Sequence, residues 1–224
     1  METSLHKTLK QMYAGETAET EVTLGRFRID AVVEGRLFEV QCAGLSSIRD
    51  KIRTLCEEHP VTVVKPVIAR RRLIKLAKQD GKEVSRRYSP KKCDWLDLFD
   101  QLVHFTKAFP HPNLTLEVPL VEIAEIRYPG HGKRRRWRKN DHVVADQTLT
   151  EILETRTFRE TSDLWTLLPG LPPVFTTADL AAQTGRTRWY AQKIAYCLRE
   201  MGAAKVQGKK GNALLYQAAV SRAA

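Results

Sequence analysis

Long apolar runs are missing from this 224-residue chain; none approaches the ~20 residues of a membrane span. The N-terminus, Met-Glu-Thr-Ser-Leu-His-Lys, has no basic region followed by an apolar core, so no secretion signal is read there. Cysteine is scarce as well. Cys42, Cys56, Cys93 and Cys197 are scattered and form no C-x-x-C pair, which argues against a zinc ribbon or finger. Free thiols suit a reducing compartment, so the expected location is the cytoplasm, away from membranes. No phosphate-cradling P-loop occurs, since Gly208-Lys-Lys-Gly211 lacks both its spacing and its Ser/Thr. A G-x-S-x-G elbow and a dinucleotide fingerprint are also absent. Acidic charge is in deficit, with 26 Asp and Glu against 37 Lys and Arg, a net charge of +11. That excess favours polyanions or acidic membrane surfaces as partners. The composition is otherwise that of a soluble globular protein, 42% hydrophobic and 28% charged.

The acids that are present are unevenly placed. Glu21, Asp30 and Glu39 fall at spacings that align them across three neighbouring strands. With Gly25-Arg26 as a two-residue turn, glycine first as a type II′ hairpin wants, Leu24 faces Phe27 and Glu21 faces Asp30. With Glu34-Gly35 as a second turn, Val33 faces Arg36 and Asp30 faces Glu39. Side chains alternate along a strand, so Ile29, Ala31 and Val33 share an apolar face with Phe38 and Val40. The opposite face carries Arg28, Asp30, Glu39 and Gln41. Like charges directly opposite one another destabilise a sheet; a divalent cation would give the row a purpose.

Around this meander the periodicity predicts a helix from about Ser4 to Ala14 ended by Gly15, and a second helix capped by Ser46 or Ser47. Val61–Ile68 reads as a buried parallel strand, and Arg72–Ala77 as a further strand before a basic loop running to Lys92. Trp95–Ala108 reads as helix and Leu114–Tyr128 as strand. The fold class is thus α/β, an α+β mixed sheet flanked by helices, with a different C-terminal third.

That last third opens with a capping box, Thr176 to Asp179, then a turn at Gly185 and a helix from Thr187 to Met201. Two short strands follow around Gly208-Lys-Lys-Gly211. Helix, turn, helix and basic hairpin is the order of a winged-helix module. Its outward side would carry Arg186, Arg188, Trp189, Gln192 and Lys193, with Lys209 and Lys210 on the wing. Such modules bind DNA or dock proteins; the basic set favours DNA. Between the two parts lies His131-Gly-Lys-Arg-Arg-Arg-Trp-Arg-Lys139. It is either a solvated loop or a phosphate-binding arm in which Arg134, Arg135, Arg136 and Arg138 neutralise charge and Trp137 stacks. The expected division is 1–130, the nuclease-like domain described next; 131–160, basic arm and linker; and 161–224, the winged helix.

Asp30, followed on the next strand by Glu39-Val-Gln41, after one helix and before another, resembles the PD-(D/E)XK nuclease superfamily over roughly residues 3–68. The longer run through the C-terminal third also resembles an uncharacterised bacterial family. The superfamily resemblance implies a restriction-endonuclease-like core that hydrolyses DNA phosphodiesters with Mg²⁺ or Mn²⁺ as cofactor. Asp30, Glu39 and the Val40 carbonyl would hold the metal; Asp30, Glu39 and Gln41 would form the catalytic set, to which register alone adds Glu21 for a second ion or a metal-bound water. Gln41 stands where the superfamily usually has lysine, which leaves Arg28 or Lys51 to supply the positive charge. His6, on the first helix, is expected to be a surface residue. A core that binds DNA without cutting it is the alternative. A homodimer or a larger repair or defence complex is a further expectation.

Overall fold

The computed structural model describes residues 2–15, 18–130 and 141–219. Helix α1 (Ser4–Ala14) begins at Thr3, whose hydroxyl accepts the His6 amide, and stops where Gly15 takes a φ of 68°. Its buried residues Leu5 and Leu9 pack with Val40, Val64, Val121 and Ile123. Burying a leucine contributes about 1.5–3 kcal/mol, enough to seat the helix on the sheet.

Strands β1 (Glu19–Leu24), β2 (Phe27–Val33) and β3 (Arg36–Val40) form an antiparallel meander. Leu24 pairs with Phe27 and Val33 with Arg36, so both turns are two residues long as expected. Gly25 has a φ of 57°, and Glu34 and Gly35 have 48° and 78°. Two successive positive φ values mark a type I′ turn, whose twist suits a hairpin. A 3₁₀ turn (Leu45–Ser47) then leads into α2 (Arg49–Cys56), and neither Ser46 nor Ser47 caps that helix. Ile48, Ile52 and Leu55 pack over Leu37, Val61 and Val63. Thus β3 is covered on both sides, by α1 near Val40 and by α2 near Leu37.

The strand read as Val61–Ile68 is interrupted. β4 (Val61–Val64) and β5 (Val67–Leu76) lie end to end along one edge of β7 (Leu114–Pro129), both parallel to it and broken at Lys65-Pro66. β3 pairs in parallel with β4. The basic segment before Lys92 is not all loop: β6 (Glu83–Tyr88) pairs antiparallel with β5. Trp95–Ala108 is not one helix but a 3₁₀ turn (Trp95–Leu98), the short α3 (Phe99–Leu102) and further turns.

Residues read as linker contain the longest strand described. β8 (His142–Phe158) pairs antiparallel with β7 along its length, from Leu116–Phe158 to Pro129–His142. The result is an eight-stranded mixed sheet flanked by helices. After a 3₁₀ segment (Thr161–Leu167) come β9 (Val174–Phe175), α4 (Thr177–Thr184), α5 (Arg188–Glu200), β10 (Ala204–Lys210) and β11 (Ala213–Ala218). The Thr176–Asp179 capping box is present, and Gly185 is left-handed at a φ of 65°. β9, β11 and β10 form a second, three-stranded sheet. Its helices do not stand apart, because Ile194, Cys197 and Leu198 belong to the same apolar cluster as Phe99, Leu102 and Ile52. Among the described residues no helix is long and apolar enough to cross a membrane.

Candidate functional site

The meander and its two covering helices bring acids and bases together at the end of β3. The β2–β3 ladder stops at Ala31–Phe38, one residue short of Asp30 and Glu39. At that point a side chain replaces a main-chain partner: Asp30 Oδ2 accepts the Val40 amide at 2.8 Å. The amide and carbonyl of one residue in a strand point the same way, so the Val40 oxygen opens toward Asp30 as well.

Each acid has a basic neighbour from a different helix. His6 Nε2 of α1 lies 3.4 Å from Asp30 Oδ2, and its Nδ1 lies 2.6 Å from Glu2. Lys51, in the first turn of α2, meets Glu39 Oε2 at 2.6 Å and also donates to the Arg28 carbonyl. The hydrogen bond to Asp30 raises the His6 pKa to about 9 against the opposing effect of burial, with help from Glu2. His6 is therefore an imidazolium at neutral pH. Burial alone would raise Asp30. The His6 and Val40 hydrogen bonds and the charges of His6 and Lys10 outweigh it and hold the carboxyl below its ordinary value. Glu39 shifts the other way: burial, aided by the Asp30 charge, lifts it in spite of Lys51. Two carboxylates pushed apart in this way are the pattern expected at functional sites.

Glu21 does not join them. The pairs Val22–Ile29 and Thr20–Ala31 keep the expected register, which leaves Glu21 opposite Asp30 by count. Glu21 itself has a φ of 58°, outside the extended region. Its carboxylate pairs with Lys10 of α1 and, at 2.5 Å, with Arg28. Arg28 is thereby engaged by Glu21, and Lys51 is the cation beside Glu39. Gln41 is also engaged: its nitrogen donates to Ser47 Oγ at 2.8 Å and its oxygen accepts the Ala43 amide at 3.2 Å. It braces the loop leaving β3. Among the described residues no three His, Cys, Asp or Glu side chains are grouped to hold a metal ion, so any ion there would rest on Asp30, Glu39 and the Val40 carbonyl.

His6 and Lys10 were missed as site residues, although the expectation of a surface histidine had a visible counter-signal. His6 and Lys10 are four residues apart and so share one stripe of the helix, with Glu2 just ahead of the N-cap and the apolar Leu5 and Leu9, which must face the sheet, beside them.

In the C-terminal third the expected outward set divides. Arg188, Trp189 and Gln192 are exposed, Trp189 at 67%. Arg186 instead meets Asp94 at 2.7 Å and Asp97 at 3.0 Å, and Lys193 pairs with Asp100. Tyr190 donates to the Leu96 carbonyl at 2.8 Å. One side of α5 is thus docked on the 3₁₀ turn and α3, and Arg186 and Lys193 are not free for another partner. Lys209 and Lys210 are exposed on β10, just before the Gly211-Asn212 turn. Arg134, Arg135, Arg136, Trp137 and Arg138 lie outside the described residues.

These features sit within a recognised family. The chain belongs to the family described as a domain of unknown function, DUF8091, which matches residues 3–159 and so takes in α1, the acidic site and the whole large sheet. It is also similar to an uncharacterized protein of Treponema pallidum (strain Nichols), 31% identical over 218 residues, covering 96% of this chain and 85% of that protein. That coverage carries the likeness into the helical C-terminal third. No solved structure matches the chain.

Proposed function

We propose that the protein is a Mg²⁺- or Mn²⁺-dependent nuclease of PD-(D/E)XK type acting on DNA, with its C-terminal third serving as a winged helix. The observation that carries this reading is the convergence of Asp30, Glu39, the Val40 carbonyl and Lys51 where β2 and β3 part. The donor set suits a hard cation, and Mg²⁺ commonly uses only one or two carboxylates and keeps its waters. Bound there, Mg²⁺ would supply Lewis-acid charge against the phosphodiester oxygens. Lys51 supplies the positive charge that Gln41 lacks, and it can pass from Glu39 to a phosphate oxygen. Asp30 fixes the end of β3 through the Val40 amide. His6 holds a proton beside Asp30 and can give it to a leaving oxygen. DNA would reach the site along Arg188, Trp189, Lys209 and Lys210, with the 131–139 arm as a further contact.

A second reading has its own support: a DNA-binding protein or regulator with a degenerate core. It is favoured by His6 and Lys51 already neutralising both acids, and by Gln41 bracing a loop.

Incubation of purified protein with plasmid and linear DNA in Mg²⁺ or Mn²⁺ decides between them. On the nuclease reading Asp30→Ala and Glu39→Ala each reduce cleavage to background. Lys51→Ala costs about 10²-fold or more, the scale of one lost transition-state contact, and Gln41→Ala costs little. Wild-type rates in both acid variants would remove the acids from the chemistry. DNA binding without any cleavage would leave the second reading.

A further inference from the structure

The break between β4 and β5 leaves part of the sheet edge without a neighbouring strand. β3 ends its pairing at Val40–Val64, and β6 begins at Arg72–Tyr88. Between them the edge is met by the amides of Cys93 and Ser89, which donate to the carbonyls of Ala69 at 3.2 Å and Arg71 at 2.8 Å. A cleft with a volume of about 240 Å³ opens there, walled on the far side by residues of the 3₁₀ turn and α3.

Its chemistry is cationic. Lys65 lines it at 5% exposure, and among the described residues its ammonium has one acceptor, the Cys42 carbonyl at 3.2 Å. An ammonium has three N–H donors, so two have no acceptor among the described residues. Arg71 lines the same cleft; it meets Glu125 at 3.2 Å, yet among the described residues its Nε is buried without an acceptor. Lys91 is exposed on the cleft lining. The two wall acids do not neutralise this set, because Arg186 takes Asp97 at 3.0 Å and Lys193 takes Asp100. Burial pushes Lys65 down to about 8, the response of a cation lacking a counter-charge. Buried donors with no acceptor are costly, and an anion with several oxygens would satisfy them together.

We propose that this cleft is a phosphoryl-binding subsite that receives the terminal phosphate of a DNA strand held at the acidic site. The source of the phosphate rests on the nucleic-acid reading above; the anion chemistry does not. Pockets that enclose whole small molecules run to about 300–1,000 Å³, so this one suits a small anion or the end of a longer chain. It is also close to the acids along the chain: Cys42, on the cleft lining, is three residues beyond Glu39.

The test measures binding in EDTA, where no cutting intervenes. Fluorescence anisotropy compares a 5′-phosphorylated single-stranded DNA oligonucleotide with its 5′-hydroxyl twin, and calorimetry follows inorganic phosphate. The phosphorylated strand is expected to bind about tenfold more tightly, the worth of one or two charge-assisted hydrogen bonds. Lys65→Met and Lys91→Ala should each bring the two strands to nearly equal affinity. Lys91 is exposed, so its variant serves if Lys65→Met fails to fold, which a thermal melt reports. Phosphate binding lost in the Lys91 variant, without a preference between strands, keeps the subsite and assigns it to free phosphate. Equal affinities together with no phosphate binding overturn it. A protein that cuts DNA through Asp30 and Glu39 yet shows neither effect loses the subsite and keeps the nuclease reading. One that shows the preference but never cuts does the reverse.

Discussion

His6 holds its proton between Asp30 and Glu2. Its folded pKa of about 9 stands above the ordinary 6.5 because Asp30 and Glu2 hold the charged ring. Linkage fixes the sign: a raised pKa contributes stability that is complete below the unfolded value and is lost as pH rises through the folded one. This contribution is therefore full below about pH 6.5, falls between there and 9, and is gone above it. Thermal unfolding of wild type and His6→Gln across that range checks it. The gap between them should close as pH rises, and a constant gap would mean the ring is not charged in the fold. The acids themselves were legible, because Asp30 and Glu39 follow from two-residue turns and a period of two. What pairs with them was legible only in part: Lys51 was one of two residues expected to supply the positive charge and does meet Glu39, whereas His6 was read as a surface residue. Lys51 and His6 arrive from helices whose placement over β3 depends on packing at Leu37 and Val40, and that is tertiary information. Glu21 shows the limit of register reasoning: its place by count is right, but a φ of 58° and two cationic neighbours turn its carboxylate elsewhere.

At the scale of elements, α5 illustrates why an outward face is hard to read from a helix alone. Arg186 and Lys193 looked free because arginine and lysine usually are. Asp94, Asp97 and Asp100, about ninety residues earlier, recruit them, and Tyr190 follows by donating to Leu96. The ends of α4, by contrast, were readable from local chemistry: the Thr176 capping box and Gly185 each act within one turn. The long strand β8 escaped notice because its residues alternate only weakly and a basic tract precedes it. If the C-terminal third binds DNA as proposed, this division of α5 makes a prediction about affinity. Alanine at Arg186 or Lys193 should lower stability by about 1 kcal/mol, the scale of a favourable surface pair, and leave DNA affinity within about twofold, far below the tenfold that 1.4 kcal/mol would give. Alanine at Lys209 or Lys210 should leave the melting temperature alone and flatten the dependence of log affinity on log salt by about one per phosphate contact. Anisotropy titrations at several salt concentrations separate the two; a full loss of binding in Arg186→Ala would show that the docked face also touches DNA.

For the whole molecule, the question is whether the large sheet and the C-terminal third are separable. The family match ends at residue 159, next to the last residue of β8, and on that ground alone a cut there looks harmless. The packing says otherwise. Phe99 and Leu102 share one apolar cluster with Ile194, Cys197 and Leu198, and Trp165, Phe175 and Tyr216 extend it into the smaller sheet, with Phe175 and Tyr216 stacked at 5.7 Å. Each large side chain uncovered forfeits about 1.5–3 kcal/mol. Several together match the whole stability of an ordinary domain, about 5–15 kcal/mol. Two ion-pair sets, Arg186 with Asp94 and Asp97 and Lys193 with Asp100, close the same boundary. The full chain should therefore unfold in one calorimetric transition whose measured enthalpy equals its van't Hoff enthalpy. A fragment ending at Arg159 should be poorly soluble or melt far lower, because it exposes the apolar side of α3. Two resolved transitions in the full chain, or a fragment as stable as the parent, would show that the shared core does not couple the parts. The C-terminal third would then be a tethered module rather than the wall that holds α3 beside the Lys65 cleft.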